Sequence, residues 1–174
     1  YASAPSGRTT RLTRLNPQVE RDTWGAMRPY TWHDDAGRRW DGGLMSASGM
    51  DAHTRHPLLI QTYGFAPDRF YLDGPNIAAG GTSGFAGRAF LREGILVLAM
   101  PWGATGRAAK TGREALQAFD EGVRGAVDAL VREGRVDASK VGIIGWSATG
   151  ERVLNLVTFG EVPIRAATLA DGDA

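Results

Sequence analysis

Residues 141–150 read V-G-I-I-G-W-S-A-T-G, an apolar run that ends in glycine, serine and glycine and then opens into a helical pattern. A serine at the tip of a sharp strand-to-helix turn can be held in a strained backbone conformation that lifts its hydroxyl clear of a sheet, the arrangement called a nucleophile elbow. Ser147 occupies that tip, with Trp146 and Ala148 on either side. Strand and helix pass close together there, so small neighbours are required. Gly145, two residues before the serine, meets that demand. Thr149, two residues after it, does not, and the second glycine comes one place later at Gly150. The chemistry such a serine offers is nucleophilic attack, which needs a base to take the hydroxyl proton and rigid donors aimed at the resulting oxyanion.

Two other readings fit the same stretch. The spacing from Gly145 to Gly150 is also G-x-x-x-x-G, as in phosphate-binding loops, but that motif continues with Lys and then Ser or Thr. Here Glu151 and Arg152 follow, and a carboxylate at the lysine position would repel a phosphate. The plainer alternative is a tight strand-to-helix turn in any α/β domain.

The rest of the chain must position this serine. With 174 residues and 43% hydrophobic content, it is long enough for one domain with a proper core. Net charge is +1, from 20 basic and 19 acidic residues, and no segment interleaves Lys or Arg with aromatics. No nucleic-acid or membrane partner is expected, and no apolar run approaches the ~20 residues needed to cross a bilayer. The absence of cysteine excludes disulfides and thiolate metal sites and leaves cytoplasm and periplasm equally open. Neither a cofactor nor a metal is expected. The first residue is Tyr1, so the expectation is a processed product or a piece of a longer protein.

Residues 1–28 are rich in Ser, Thr, Arg and Pro and read as an irregular entry segment; residues 29–174 read as the domain itself. Tyr30-Thr31-Trp32 and Arg39-Trp40-Asp41 flank the turn residues Asp34-Asp35-Ala36-Gly37, which predicts a β-hairpin with Trp32 and Trp40 packed on one another or on the sheet. Residues 58–65 (L-L-I-Q-T-Y-G-F), 95–100, 141–144 and 164–170 are apolar runs that suit strands buried on both faces. Helical spacing marks residues 83–93, closed by Gly94, residues 113–133, closed by Gly134, and residues 148–159. Gly122 and Gly125 weaken the middle helix by roughly 1 kcal/mol each unless they allow close packing on the sheet. The alternation β-α-β-α-β-α-β predicts an α/β fold, a mostly parallel sheet with helices on both faces.

The sequence resembles the α/β-hydrolase catalytic domain of prolyl oligopeptidase-type serine peptidases, from about Leu12 to the C-terminus. G-W-S-A-T-G is similar to that family's G-x-S-x-G-G, Q-T-Y-G-F to its Y-G-G-F, and L-T-R-L-N-P to the stretch where the last blade of its β-propeller hands over to the hydrolase domain. The branch of isopeptidases that linearise lasso peptides is similar in outline. The resemblance implies Ser147 as nucleophile, with the Ala148 backbone N–H and the Tyr63 hydroxyl as the two oxyanion donors. Tyr63 is followed by one glycine where the family has two, Thr149 replaces a glycine, and Pro101-Trp102-Gly103-Ala104 stands where the family has an Arg-Gly-rich loop.

In this fold the triad runs Ser, then Asp or Glu, then His, so acid and base lie downstream of the elbow. No histidine follows Ser147: His33, His53 and His56 all precede it. Asp171 and Asp173 come too early for the family's acid. The chain therefore reads as the front half of a catalytic domain, ending after the strand that follows the elbow. The expected partners are a peptide substrate and a second polypeptide, or the remainder of the same chain, carrying the acid, the histidine and a propeller. Three functions stay open: a serine hydrolase cleaving peptide or isopeptide bonds, or an esterase of the same fold; a non-catalytic module that keeps the elbow as scaffold; and a nucleotide-binding domain, disfavoured by Glu151 and Arg152.

Overall fold

The computed structural model describes residues 2–3, 7, 9–10, 12–13, 25–51, 53–62, 87–106 and 112–171. Near the start, β1 (Ala2–Ser3) pairs antiparallel with β2 (Thr9–Thr10). The main sheet has six strands: β3 (Ala26–His33), β4 (Arg39–Ser46), β5 (His56–Gln61), β6 (Leu96–Ala99), β7 (Val136–Trp146) and β8 (Ile164–Ala170). Their spatial order is β3-β4-β6-β5-β7-β8. The predicted hairpin is β3 and β4, and β4 meets β6 antiparallel. From β6 to β8 every pairing is parallel, as the alternation of runs requires.

Alternate residues of the central strands enter two separate cores. Leu44, Leu58, Ile60, Leu96, Leu98, Val141 and Ile143 face α2 (Arg113–Arg132) and α3 (Ala148–Phe159), whose Phe119, Val123, Val127, Leu130, Val153 and Leu156 complete the larger core. Met45, Val97 and Ala99 point to the other face and meet Leu91 of α1 (Gly87–Arg92). Period two in the strands and the three-and-four spacing in α2 thus produce helix-covered faces on both sides. The last strand, β8, is exposed along most of its length.

The hairpin is locked onto α2. Trp32 and Trp40 stack with centroids 6.1 Å apart and planes at 12°, and Trp40 is fully buried. Gly122 of α2 lies against Trp40, where an added Cβ would come within 2.3 Å of the indole, and Trp32 Nε1 donates to the Gly122 carbonyl at 2.8 Å. Gly125 admits the hairpin backbone, its virtual Cβ falling 2.8 Å from the His33 carbonyl oxygen. The two helix glycines therefore cost helix propensity and permit contact with the sheet. At the turn, the buried Asp34 carboxylate accepts from Trp40 Nε1 (2.9 Å), Arg38 N–H (2.9 Å) and Arg38 Nε (2.7 Å), and Arg38 also pairs with Glu121 of α2. Burial pushes the Asp34 carboxyl up, but these donors outweigh it and hold the group below the usual carboxylate range.

Strand β7 begins five residues earlier than its apolar run. Val136 pairs with His56 and Val141 with Leu58, and the register shifts between them. Residues 137–140 make a polar excursion in which Asp137 accepts from the Ser139 N–H and hydroxyl and pairs with Lys140. The expected strand over residues 58–65 begins earlier, at His56, and its last three residues lie outside the described ones, as do residues 83–86 of the expected helix and the loop between them.

Candidate active site

Strand β7 ends at Trp146, α3 starts at Ala148, and Ser147 alone makes the turn. Its backbone adopts φ 51 and ψ −132, a sparsely populated region costing a non-glycine residue about 1–3 kcal/mol. Asp171 (φ 52) is the only other described non-glycine residue with positive φ. The surroundings over-determine the strain. Ser147 N–H donates to the Ala170 carbonyl at 3.0 Å, and the Ser147 carbonyl accepts from Gly150 N–H at 2.8 Å.

Gly145 holds its place for the reason the sequence suggests. A Cβ there would sit 2.8 Å from Val153 Cγ2 and 3.0 Å from the Thr149 carbonyl oxygen, so α3 crosses β7 with no room for a side chain. Thr149 departs from the small-residue rule and is nevertheless accommodated. Fully buried, its hydroxyl accepts from Trp146 N–H at 3.0 Å and donates to the Trp146 carbonyl at 2.8 Å. The residue after the elbow thereby ties the residue before it, a role a glycine could not perform.

The arrangement separates the two nearest backbone donors. Ser147 N–H is committed to β8, whereas Ala148 N–H stands at the first position of α3, where no intrahelical acceptor exists. The positive end of the α3 dipole favours negative charge at that spot. Ser147 is half-buried and Ala148 exposed, so the site opens to solvent.

Arg152, on the next turn of α3, donates through Nη1 to the Trp102 carbonyl, pinning the loop after β6 to the elbow helix. Burial pushes its guanidinium below the ordinary value, and Glu151 partly offsets this. In the sequence Arg152 speaks only against phosphate binding; no local motif signals its anchoring contact. Tyr63 lies outside the described residues. Its neighbour Thr62 is fixed beside the elbow strand, donating to the Ile144 carbonyl through N–H at 3.2 Å and through Oγ1 at 2.9 Å.

Asp171 follows Ala170 at the end of β8, next to the elbow, and Asp173 lies outside the described residues. The histidines are elsewhere. His56 opens β5 at the opposite end of the parallel strands, its Nε2 donating to the Asp51 carbonyl at 2.9 Å, and His53 sits in the connection before it. His33 ends β3, four strands from β7 in the sheet order, roughly 19 Å by strand spacing. The structure therefore brings together Gly145, Trp146, Ser147, Ala148, Thr149 and Gly150 and no imidazole among the described residues. No described group of three His, Asp or Glu side chains is placed to hold a metal ion.

No family model matches the sequence, and no curated protein matches it. Solved structures do. The apo AtxE2 isopeptidase superposes with a TM-score of 0.65 at 18% identity, over 94% of this chain and 26% of its own. A post-proline cleaving enzyme from Rickettsia typhi gives 0.62 at 14% identity, over 94% and 23%. Porphyromonas gingivalis dipeptidyl peptidase 4 gives 0.63 at 16%, over 88% and 22%. The likeness shows a shared fold, a mixed α/β sheet flanked by helices. This chain spans about a quarter of the length of those proteins.

Proposed function

We propose that this chain carries the nucleophile of a serine hydrolase that cleaves peptide or isopeptide bonds through an acyl-enzyme on Ser147. The observation that carries the reading is the conformation of Ser147: a positive-φ, non-glycine residue at a strand-to-helix tip, braced on both sides and open to solvent. Similarity of fold to an isopeptidase, a post-proline cleaving enzyme and a dipeptidyl peptidase supports peptide chemistry over ester chemistry.

In this reading Ser147 Oγ attacks the carbonyl carbon and gives its proton to an imidazole, which passes it to the departing amine; water then hydrolyses the ester by the same route in reverse. The Ala148 N–H and the Tyr63 hydroxyl hold the oxyanion. The acid and the histidine come from outside residues 1–174, on the remainder of the protein or a second polypeptide, and a propeller preceding residues 1–28 filters the peptide substrate. Replacing Tyr63 by Phe lowers kcat by roughly 10² with KM little changed, the signature of one lost oxyanion donor; normal turnover in a destabilised variant would reduce Tyr63 to a packing residue.

A fluorophosphonate probe tests the assignment on the full-length protein. Mass spectrometry of the digest should place one adduct on Ser147, absent in Ser147→Ala. A folded protein that takes no adduct would leave the elbow as scaffold only.

A further inference from the structure

A second strained residue stands beside the elbow. Ser147 and Asp171 are the two described non-glycine residues with positive φ, and one hydrogen bond joins their turns: Ser147 N–H donates to the carbonyl of Ala170, the residue bonded to Asp171. Trp146 pairs with Ala170 in the parallel ladder. The next residues along, Ser147 and Asp171, therefore lie side by side at the ends of β7 and β8, about 5 Å apart by strand spacing. Strain of this kind collects where a site must be held in one geometry.

The conformation does not call for a carboxylate. Glycine or asparagine adopts positive φ as readily as aspartate and brings no charge. Nor does a partner explain it: Asp171 is exposed, and among the described residues no hydrogen bond or ion pair engages its side chain. Arg165 sits near the start of β8, roughly 20 Å away along the strand. Arg152, the cation of α3, donates to the Trp102 carbonyl. The exposed charge in the first turn of α3 is Glu151, also negative.

Resting on the assignment of Ser147 as nucleophile, we infer that Asp171 selects the substrate: its carboxylate receives a cationic group carried next to the scissile carbonyl. A basic side chain and a free α-ammonium group share that chemistry. The carbonyl carbon under attack lies about 3 Å from Ser147 Oγ, so a group on the flanking residue passes over the adjacent strand end, within reach of an aspartate. Water screens the pair, and its effect on rate is accordingly modest.

Covalent inactivation of the full-length protein tests this with three aryl phosphonates that differ only in charge. One is neutral and N-acylated, one is N-acylated with a guanidinium side chain, and one has a neutral side chain and a free α-ammonium group. A cationic reagent should inactivate about fivefold faster than the neutral one, and which of the two does so identifies the source of the charge. The preference should shrink as salt is added. Asp171→Asn keeps a residue that tolerates positive φ, so the variant should fold and react with all three reagents at one rate. Equal rates in the parent, or a preference unchanged in Asp171→Asn, overturns the assignment; a lowered Tm with the preference intact makes Asp171 a partner of the α3 dipole instead. A parent protein that takes no fluorophosphonate on Ser147 is a different failure, that of the nucleophile, and removes this inference with it.

Discussion

The hairpin seam and the elbow solve opposite problems with the same kinds of atoms. At the seam, Trp32, Trp40 and Asp34 lie in ordinary backbone, and their indole N–H groups and the carboxylate find partners within the protein. At the elbow the backbone is strained, and the surrounding hydrogen bonds hold that strain in place. One region converts polar satisfaction into stability; the other uses it to hold a strained turn in place. Substitutions at the seam should therefore move stability alone, and a substitution at the elbow tip should move activity alone.

The sharpest break is at Ser147. In the full-length protein Ser147→Ala should lower turnover on the order of 10⁶-fold, as when a triad loses its serine, with an unfolding midpoint equal to that of the parent. Turnover within tenfold of the parent would show that the strained serine is not the nucleophile.

The counterpart is Asp34→Asn, expected to cost about 2–3 kcal/mol of stability by removing the charge that accepts from Trp40 Nε1 and Arg38 Nε, with Glu121 left as the other carboxylate on Arg38, while the properly folded fraction labels at the normal rate. Because the Asp34 carboxyl titrates below its ordinary value when folded, its contribution is present above the unfolded value of about 4 and is lost as pH falls through the folded one. Denaturant titrations should show a constant gap between parent and variant from pH 5 to 8 that closes in more acidic solution. A gap that persists at pH 2 would remove the charge from the explanation.

Thr149→Val gives the smallest effect and the most informative one. Losing the hydroxyl leaves the Trp146 N–H without its acceptor, a cost of about 1–2 kcal/mol, and loosens the turn that holds Ser147. Stability and fluorophosphonate labelling should fall together, the labelling severalfold. If only stability falls, the brace supports the fold without setting the nucleophile.

What could be read from the sequence follows from how local each signal is. The elbow, the hairpin turn and the apolar face of α2 depend on residues within a few positions of one another, and Gly145 and Gly94 appear where their neighbours require them. The start of β7 could not be read, since Asp137, Ser139 and Lys140 interrupt the apolar run and the register shifts there. Thr149 looks like a departure from a pattern of small residues; only the fold shows its hydroxyl folded back onto Trp146. Arg28 and Arg135 line one cavity although three strands separate β3 from β7, with no sequence motif to pair them. Tyr63 and Asp173, by contrast, fall outside the described residues.

The pairing of Thr62 with Ile144 spans 82 positions of sequence. Strand β5 lies between β6 and β7, so the centre of the sheet closes only after two helices and a later strand have been made, and the loop entropy of that long connection is met before any contact repays it. Ser147 depends on a still later partner, the carbonyl of Ala170. During synthesis from the N-terminus the hairpin can collapse onto early chain, whereas the turn at Ser147 acquires its shape only after β8 has been made. A nascent or partly folded molecule thus carries Ser147 but not the backbone geometry described for it, which forms only once β8 has joined β7.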